Sequence, residues 1–562
     1  MKHSGASGDK NSELVELPAR RGFSISYGGK TLLSRIDPIA QAERLAAEIP
    51  IKEKTLYFCP SPLYGYGLSI LFEKLKPNSA VLCVEADEKL FEVSRTALGE
   101  NTGTFSLLKA TTAEDLCAFV RKTYGERSFS RLEEVRLSGG WQLFPQLYTD
   151  LTQALRREIA LDWGNAITLI HLGRLYARNL IRNLALLPES ENISSLNITS
   201  PTLVLGAGPS LDSVLAELSA LWGGNIPAPN ERHFKIICVD TCLPALIERQ
   251  IIPDLVVILE SQHWNLKAFM NARGLKIDTA IDLSALHASC RILTGKRYFF
   301  TTHWTNLALF KRLKDANLLP KVFPPLGSVG LNAVALALHA GGSPVLTGGI
   351  DFSFSPDAYH SRSTPGYLAL QLKQNRFRSM INAGATFQDG TFSILSKTGT
   401  QIRSNPIMRN YRDIFEQEFG GNTKLMDING PGLPLGIKII TPADAFAILS
   451  QAGKGTDSVL QPQMNTPSAG QKEKVTAFIQ QEIDILTTIK DMLTGALPPD
   501  TTRLEELLET ADYLWAHFPE CAGAGGKRPC GTNLSFLKRV RAEIEPFLKL
   551  WEMAYDILSG GK

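Results

Sequence analysis

The chain has 562 residues, 44% of them hydrophobic and 20% charged, with a formal net charge of +3. Its mean hydropathy of -0.03 predicts a soluble globular protein, too long for one core and expected to divide into roughly three or four units. No apolar run reaches the ~18 residues that a spanning helix needs, which argues against a membrane protein. The near-neutral charge gives a nucleic-acid partner no support.

Met1 to Lys10 is small and polar with no apolar stretch behind it, so a cytoplasmic protein is expected rather than a secreted one. The eight cysteines are scattered, with Cys59, Cys83 and Cys238 inside apolar runs, and Cys238 and Cys242 straddle a strand end. Without paired CxxC units, reduced packing cysteines and no metal are the expectation.

Residues 1–22, dense in Ser, Gly, Asp and Lys, read as a flexible tail. An N-terminal α/β domain over 23–150 opens with a strand pair around Gly28 and Gly29. Asp37-Pro38 then starts a helix on which Ala40, Ala42, Leu45, Ala46 and Ile49 recur at helical spacing. Thr55 to Pro60, the turn Gly65-Tyr-Gly67, Leu68 to Leu75 and Ala80 to Glu85 form a strand, turn, helix and strand ending in an acid, which is a nucleotide-binding outline. Glu85 is placed to reach a ribose hydroxyl, as for an adenosyl cofactor. Pro60, Pro62 and Tyr64 crowd the loop, however, and favour an empty Rossmann-like domain.

Residues 151–199 read as a helical connector, a helix pair in which Trp163, Ile167, Ile170, Ala177, Ile181 and Leu184 recur at helical steps. Asn165, Asn179 and Asn183 are expected on its solvated faces.

The central domain, 200–450, alternates strands with helices, the pattern of a parallel sheet covered on both faces. Its strands are predicted at Thr202 to Leu205, Phe234 to Asp240, Asp254 to Ser261, Arg297 to Thr301 and Pro344 to Phe352. Ligands in such sheets lie beyond the carboxyl ends of the strands, so a site is expected from Asp240 with Thr241, Glu260, His303 and Asp351. The first strand runs into Gly206-Ala-Gly208-Pro209-Ser210-Leu-Asp212. Gly206 and Gly208 are read as taking backbone angles that a Cβ forbids, and Pro209 as opening a helix that Ser210 or Asp212 caps. Free N–H groups and the positive helix end would then receive a phosphate. A third fingerprint glycine is absent, Leu211 standing there, and so is a P-loop lysine, which points to a mononucleotide. A plain strand-to-helix turn with no ligand is the alternative. Ser328, Gly330 and Asn332 begin a second helix whose start is a second anion site, and Gly349 precedes Asp351 at the late strand end.

These residues match a known family. Gly206-Ala-Gly-Pro-Ser-Leu211, Pro253-Asp254 before an apolar strand, Gly327-Ser-Val-Gly-Leu-Asn-Ala-Val-Ala-Leu-Ala-Leu338 and Gly348-Gly-Ile-Asp351-Phe352 stand in the order seen in the motility accessory factor (Maf) family. Asp37-Pro38 with Glu43-Arg44, Gly65-Tyr-Gly67 and Asn429 to Gly436 resemble its flanking blocks, so the likeness spans roughly residues 20–450. Those proteins are flagellin glycosyltransferases with a central domain like that of the 6-hydroxymethylpterin diphosphokinase MptE. The glycine loop and the Gly-Ile-Asp-Phe segment also resemble CMP-sugar-dependent sialyltransferases.

The resemblance implies transfer of a nonulosonic acid, of the pseudaminic or legionaminic type, from a CMP-activated donor to Ser or Thr of flagellin. It implies no cofactor beyond the donor substrate. Tyr359, eight residues after Asp351, falls where the sialyltransferases carry a phosphate-binding tyrosine, while their neighbouring tyrosine is Ser353 here. His360 in the same loop is the expected base, titrating near neutrality. His303 and His263 compete for that role, and Arg362 is expected to cover surface, with pairing to the sugar carboxylate as the alternative. The competing functions are an MptE-like diphosphokinase, needing magnesium-binding carboxylates around Asp240 and Asp351, and a non-enzymatic flagellin-binding assembly factor.

Residues 451–471 read as a linker and 472–562 as a separable helical domain. Val475, Phe478, Ile479, Ile483 and Leu486, then Leu504, Leu507 and Leu508, then Phe536, Val540, Ile544, Phe547 and Leu548 keep helical spacing. Acceptor docking or assembly into a homo-oligomer is expected there.

Overall fold

The computed structural model describes residues 14–125, 128–354, 359–377, 379–380, 390–451, 470–498, 500–522 and 533–560. The expected linker lies almost wholly outside them. The chain forms two compact units, Met1–Leu172 with Trp515–Cys530 and Gly173–Leu514 with Gly531–Lys562.

In the first unit, β1 (Val15–Pro18), β2 (Phe23–Tyr27) and β3 (Lys30–Thr31) form an antiparallel sheet. The expected tail is therefore wrong for Val15–Pro18, which pairs in register with Phe23–Ser26. Beyond α1 (Pro38–Ala47), a parallel sheet forms from β4 (Thr55–Pro60), β5 (Ala80–Glu85), β6 (Phe105–Lys109) and β7 (Arg131–Glu134) in the order β6-β5-β4-β7. Two-residue periodicity sorts its side chains. Leu56, Phe58, Leu82 and Val84 face Leu151 and Leu155, while Tyr57, Cys59, Val81 and Cys83 face Ala42, Leu68 and Leu71. Between β4 and β7 run α2 (Leu68–Lys74), α3 (Glu88–Leu98) and α4 (Ala113–Tyr124), the last two capped by Asp87 and Thr112.

At the end of β5, Glu85 is fully buried and receives Ser61 Oγ, Ser94 Oγ and the Leu63 N–H on one oxygen. Its other oxygen faces the Tyr148 hydroxyl at 3.5 Å, and the neighbouring Asp87 caps α3.

The expected helix pair is a single helix, α5 (Pro145–Leu184). Leu, Ile, Ala and Arg dominate it, and no Pro falls inside to break it. Asn165 is exposed, as expected, but Asn179 and Asn183 are fully buried. Asn179 donates to the carbonyls of Ser261 and Ser284, and Asn183 to those of Leu283 and Ala285. They tie off irregular backbone beyond the strand ends, where no ladder supplies partners.

The second unit is organised on a parallel sheet built from β8 (Glu191–Asn192), β9 (Thr202–Leu205), β10 (Lys235–Val239), β11 (Leu255–Ile258), β12 (Asp278–Asp282), β13 (Arg297–Thr302), β14 (Val322–Phe323), β15 (Val345–Gly348), β18 (Leu425–Ile428) and β19 (Lys438–Ile440). Its order is β14-β13-β12-β11-β10-β9-β15-β18-β19, with β8 pairing β13. Buried on both faces, the central strands are continuous apolar runs. Of these, β12 escaped the sequence reading because Asp278 and Asp282 bracket a short run. The strand order reverses between β9 and β15, where α6 (Leu211–Leu221) and α9 (Val329–His339) begin. Between them in sequence lie α7 (Leu243–Glu248) and α8 (Ala308–Asp315). After β15 come α10 (Pro365–Leu372), the hairpin of β16 (Phe392–Leu395) and β17 (Gln401–Ser404), and α11 (Pro406–Phe419).

The last helices, α12 (Pro442–Gln451), α13 (Gln471–Thr494), α14 (Thr501–Thr510) and α15 (Leu534–Ser559), belong to this second unit. The expected separable C-terminal domain is thus not observed. Arg312 of α8 pairs with Glu482 of α13, and Asp512 accepts the N–H of Ala308. Burial drives the Asp512 carboxyl up to about 7.

Candidate functional site

A cleft of about 250 Å³ opens at the carboxyl edge where β9 and β15 meet. This is the switch point of the sheet, where consecutive connections leave in opposite directions and a crevice must open.

The glycine loop after β9 does not work as the sequence suggested. Neither Gly206 nor Gly208 has a positive φ; among the three loop glycines only Gly349 does, at +73°. What excludes a side chain is the facing loop after β15. A Cβ on Gly206 would stand 2.4 Å from the Gly349 carbonyl oxygen, and one on Gly208 2.4 Å from Asp351 Oδ2. Three of the loop N–H groups are also spent internally: Gly206 donates to Gly348, Gly208 to Gly349 and Leu211 to Gly208.

Asp351 completes this lock. Ser210 gives its N–H to Asp351 Oδ2 (2.7 Å) and its hydroxyl to Oδ1 (2.6 Å), and Gly349 N–H donates back to Ser210 Oγ (3.1 Å). The anion at the start of α6 is therefore the protein's own carboxylate. Burial raises the Asp351 carboxyl above its ordinary value, opposed by Lys397 and Ser210. Lys397 is itself buried, donating to Asp427 Oδ2 (2.7 Å) and to the Ile428 carbonyl.

The open helix start is that of α9. Ser328, Val329 and Gly330 line the cleft, and Ser328 stands at the cap position without capping through its side chain. First-turn N–H groups have no partner within a helix, so they and the positive end of α9 face the cavity. Asn332 does not reach it. It is buried one turn in, donating to the Ser328 carbonyl.

The opposite wall carries Tyr359 and His360. Ser361 N–H donates to the Ala207 carbonyl (2.9 Å), and its hydroxyl to Asp212 (2.8 Å), which also accepts the Arg362 N–H. Asp212 thus fastens this loop instead of capping α6. Tyr359 packs between Phe354 and His360, and burial raises its phenol. Burial pushes the His360 imidazole down to about 4, so it is neutral at physiological pH and does not titrate near neutrality as expected.

Of the expected residues, Gly206, Gly208, Thr241, Ser328, Gly330, Gly349, Asp351, Tyr359 and His360 line the cleft, while Pro209, Ser210, Asp240, Glu260 and Asn332 do not. Asp240 is buried, its carboxyl raised to about 6 and its Oδ1 bonded to Thr241. Glu260 is exposed and takes the Gln262 N–H. His303, stacked on Phe310 at 4.6 Å, and His263, beside Trp264, also lie outside the lining. A site drawn from all the strand ends was too wide; only the ends of β9 and β15, with that of the adjacent β10 through Val239 and Thr241, converge on the cleft. The sequence reading missed Asn405, Ile407, Met408 and Tyr411 at the start of α11. Asn405-Pro406 carries a helix-start signal, and Asn405 Oδ1 does accept the Met408 N–H. Only the tertiary fold brings it to the cleft.

Fold and cleft together define a doubly wound α/β protein with a crevice at the switch point, where ligands lie in such folds. Residues 178–357 match the family model described as 6-hydroxymethylpterin diphosphokinase MptE-like, so the chain carries an MptE-like domain. Across nearly its whole length the chain shares the fold of the MAf glycosyltransferase from Magnetospirillum magneticum AMB-1, with a TM-score of 0.53, 14% identity, and coverage of 99% of this chain and 91% of that one. A relative from Treponema pallidum (strain Nichols), described as an uncharacterized protein, is 29% identical over 557 residues, covering 95% of this chain and 94% of its own.

Proposed function

We propose that the chain is a glycosyltransferase that moves a nonulosonic acid from a CMP-activated donor to Ser or Thr hydroxyls of flagellin. One observation carries the reading: a single cleft holds both an open helix start and a neutral imidazole. The α9 start suits the one phosphate of CMP, whose charge grows as it leaves. His360 would take the proton of the acceptor hydroxyl as its oxygen bonds the anomeric carbon and the bond to the CMP oxygen breaks. Tyr359 would donate to that departing phosphate, and Asp351, with both oxygens held by Ser210, fixes the loop beneath them. The whole-chain likeness to a glycosyltransferase supports the assignment.

The MptE-like match favours a second reading, diphosphate transfer from ATP. Against it, no Lys or Arg is among the described residues lining the cleft, and Asp351, one of the two carboxylates that reading needs, is engaged. Calorimetry with CMP, CDP, ATP and S-adenosylmethionine separates the classes, with CMP expected to bind tightest. Incubation with a CMP-nonulosonic acid and flagellin, read by mass spectrometry, tests transfer. ATP as the tightest ligand would favour the diphosphokinase, and no nucleotide binding at all would leave an assembly factor.

A further inference from the structure

Beside the cleft, α10 is an eight-residue helix of sequence PGYLALQL with no buried residue. Helices are normally held by packing an apolar face against a core, so an apolar helix without one presents that face elsewhere. It is nevertheless well anchored. Thr364 caps it, Gly366 packs on the His360 ring, and Ser361 ties its leading loop to Ala207 and Asp212.

Leu372 is 86% exposed and Phe377, just beyond it, 90%. On the other side of the cleft, Ile407 is 63% exposed while also lining the cavity, so apolar surface runs out of the cleft at its mouth. Scattered exposed apolar residues are ordinary, but several of them framing one opening are not.

Charge singles out the same region. Between residues 359 and 412 the described residues include seven lysines and arginines and no Asp or Glu, although two of the seven are already paired, Lys397 with buried Asp427 and Arg412 with Asp413 and Glu416. Because the whole chain has a net charge of only +3, the rest of it is net negative. Arg362, Lys373, Arg376 and Arg409 of this segment are exposed.

We propose that this surface, α10 with its following turn and the exposed start of α11, docks the acceptor polypeptide through an acidic segment bearing apolar side chains. The inference deepens the proposed function and rests on it. An acidic partner complements the cations, apolar anchors complement Leu372 and Phe377, and continuity with the cavity through Ile407 delivers the docked chain to His360. The C-terminal helices, expected to dock the acceptor, are not needed for this.

The test uses the full chain, purified flagellin and two variants, Leu372→Glu and Arg376→Glu, neither in the cleft lining. Flagellin binding by calorimetry should weaken at least about tenfold in each, as loss of an interface anchor does. KM for flagellin should rise likewise, with kcat and CMP affinity unchanged. Flagellin binding and KM unchanged in both variants would overturn the proposal. So would variant-sensitive sedimentation with phosphatidylglycerol vesicles, which would make the surface a membrane contact, or a dimer that dissociates in the variants with KM unchanged. Flagellin binding lost in the variants while the wild type transfers no sugar would overturn the proposed function and leave the docking surface standing.

Discussion

Ser210 meets Asp351 twice, its N–H on Oδ2 at 2.7 Å and its hydroxyl on Oδ1 at 2.6 Å, although 141 residues separate them in sequence. The pair joins the loops after β9 and β15, the two strands between which the strand order reverses. Removing the hydroxyl in Ser210→Ala would leave one Asp351 oxygen and the Gly349 N–H without their partner. Unsatisfied buried groups cost about 1–3 kcal/mol each. A clear drop in Tm is expected, with weaker CMP binding because the loop beneath the cleft loosens. An unchanged Tm by differential scanning calorimetry would contradict this account of the lock.

Two glycines of similar appearance in the sequence should behave oppositely. A Cβ on Gly208 would stand 2.4 Å from Asp351 Oδ2, whereas one on Gly330 meets nothing closer than Ser328 Oγ at 3.7 Å. Gly208→Ala should therefore destabilise the fold and lower CMP affinity together. Gly330→Val, at the start of α9, should keep Tm near wild type while its side chain obstructs the helix start and cuts CMP affinity. Chemical denaturation alongside CMP calorimetry on both variants separates the cases. A Gly330→Val protein that binds CMP normally would move the phosphate away from α9.

Asn183 illustrates what the sequence could and could not reveal. Apolar runs bounded by glycines made the parallel sheet legible, the carboxyl-edge rule pointed to Gly349 and Asp351, and the resemblance to sialyltransferases pointed to Tyr359 with His360 beside it. Which strand ends converge was not legible, since it depends on a sheet order spelled out in no local pattern; hence Glu260 and His303 were placed in the site and Tyr411 was not. Polar residues on a helix read as solvated, yet Asn183 is fully buried and donates to Leu283 and Ala285 at 3.0 and 2.8 Å. Asn183→Leu should cost about 2–4 kcal/mol, because two carbonyls lose their donor inside the protein. Urea denaturation of this variant beside an exposed control, Asn165→Ala, is the measurement, and equal midpoints would refute the buried role.

The final prediction concerns His360. Burial holds its imidazole at about 4, below the usual 6.5, so folding favours the neutral ring. Its contribution to stability is present above about pH 6.5 and is lost as pH falls towards 4. On the proposed function, above about pH 4 the unliganded protein offers a neutral ring that can accept a proton, though as a weak base. Binding an anionic donor brings negative charge near the ring and raises its pKa, strengthening it as a base when acceptor and donor are both present. The acid limb of kcat/KM should therefore lie near 4, and that of kcat at higher pH, because the first reports free enzyme and the second the complex. His360→Ala should lose transfer by roughly 10²–10⁴, the usual worth of general-base help, with CMP affinity nearly intact. Tyr359→Phe should lose less, since the α9 start would still face a bound donor phosphate. His303→Ala should leave transfer unchanged, for that ring stacks on Phe310 outside the cleft lining. Full activity in His360→Ala, measured as glycosylated flagellin by mass spectrometry, would remove the imidazole from the chemistry and leave proton loss to water or to the donor itself.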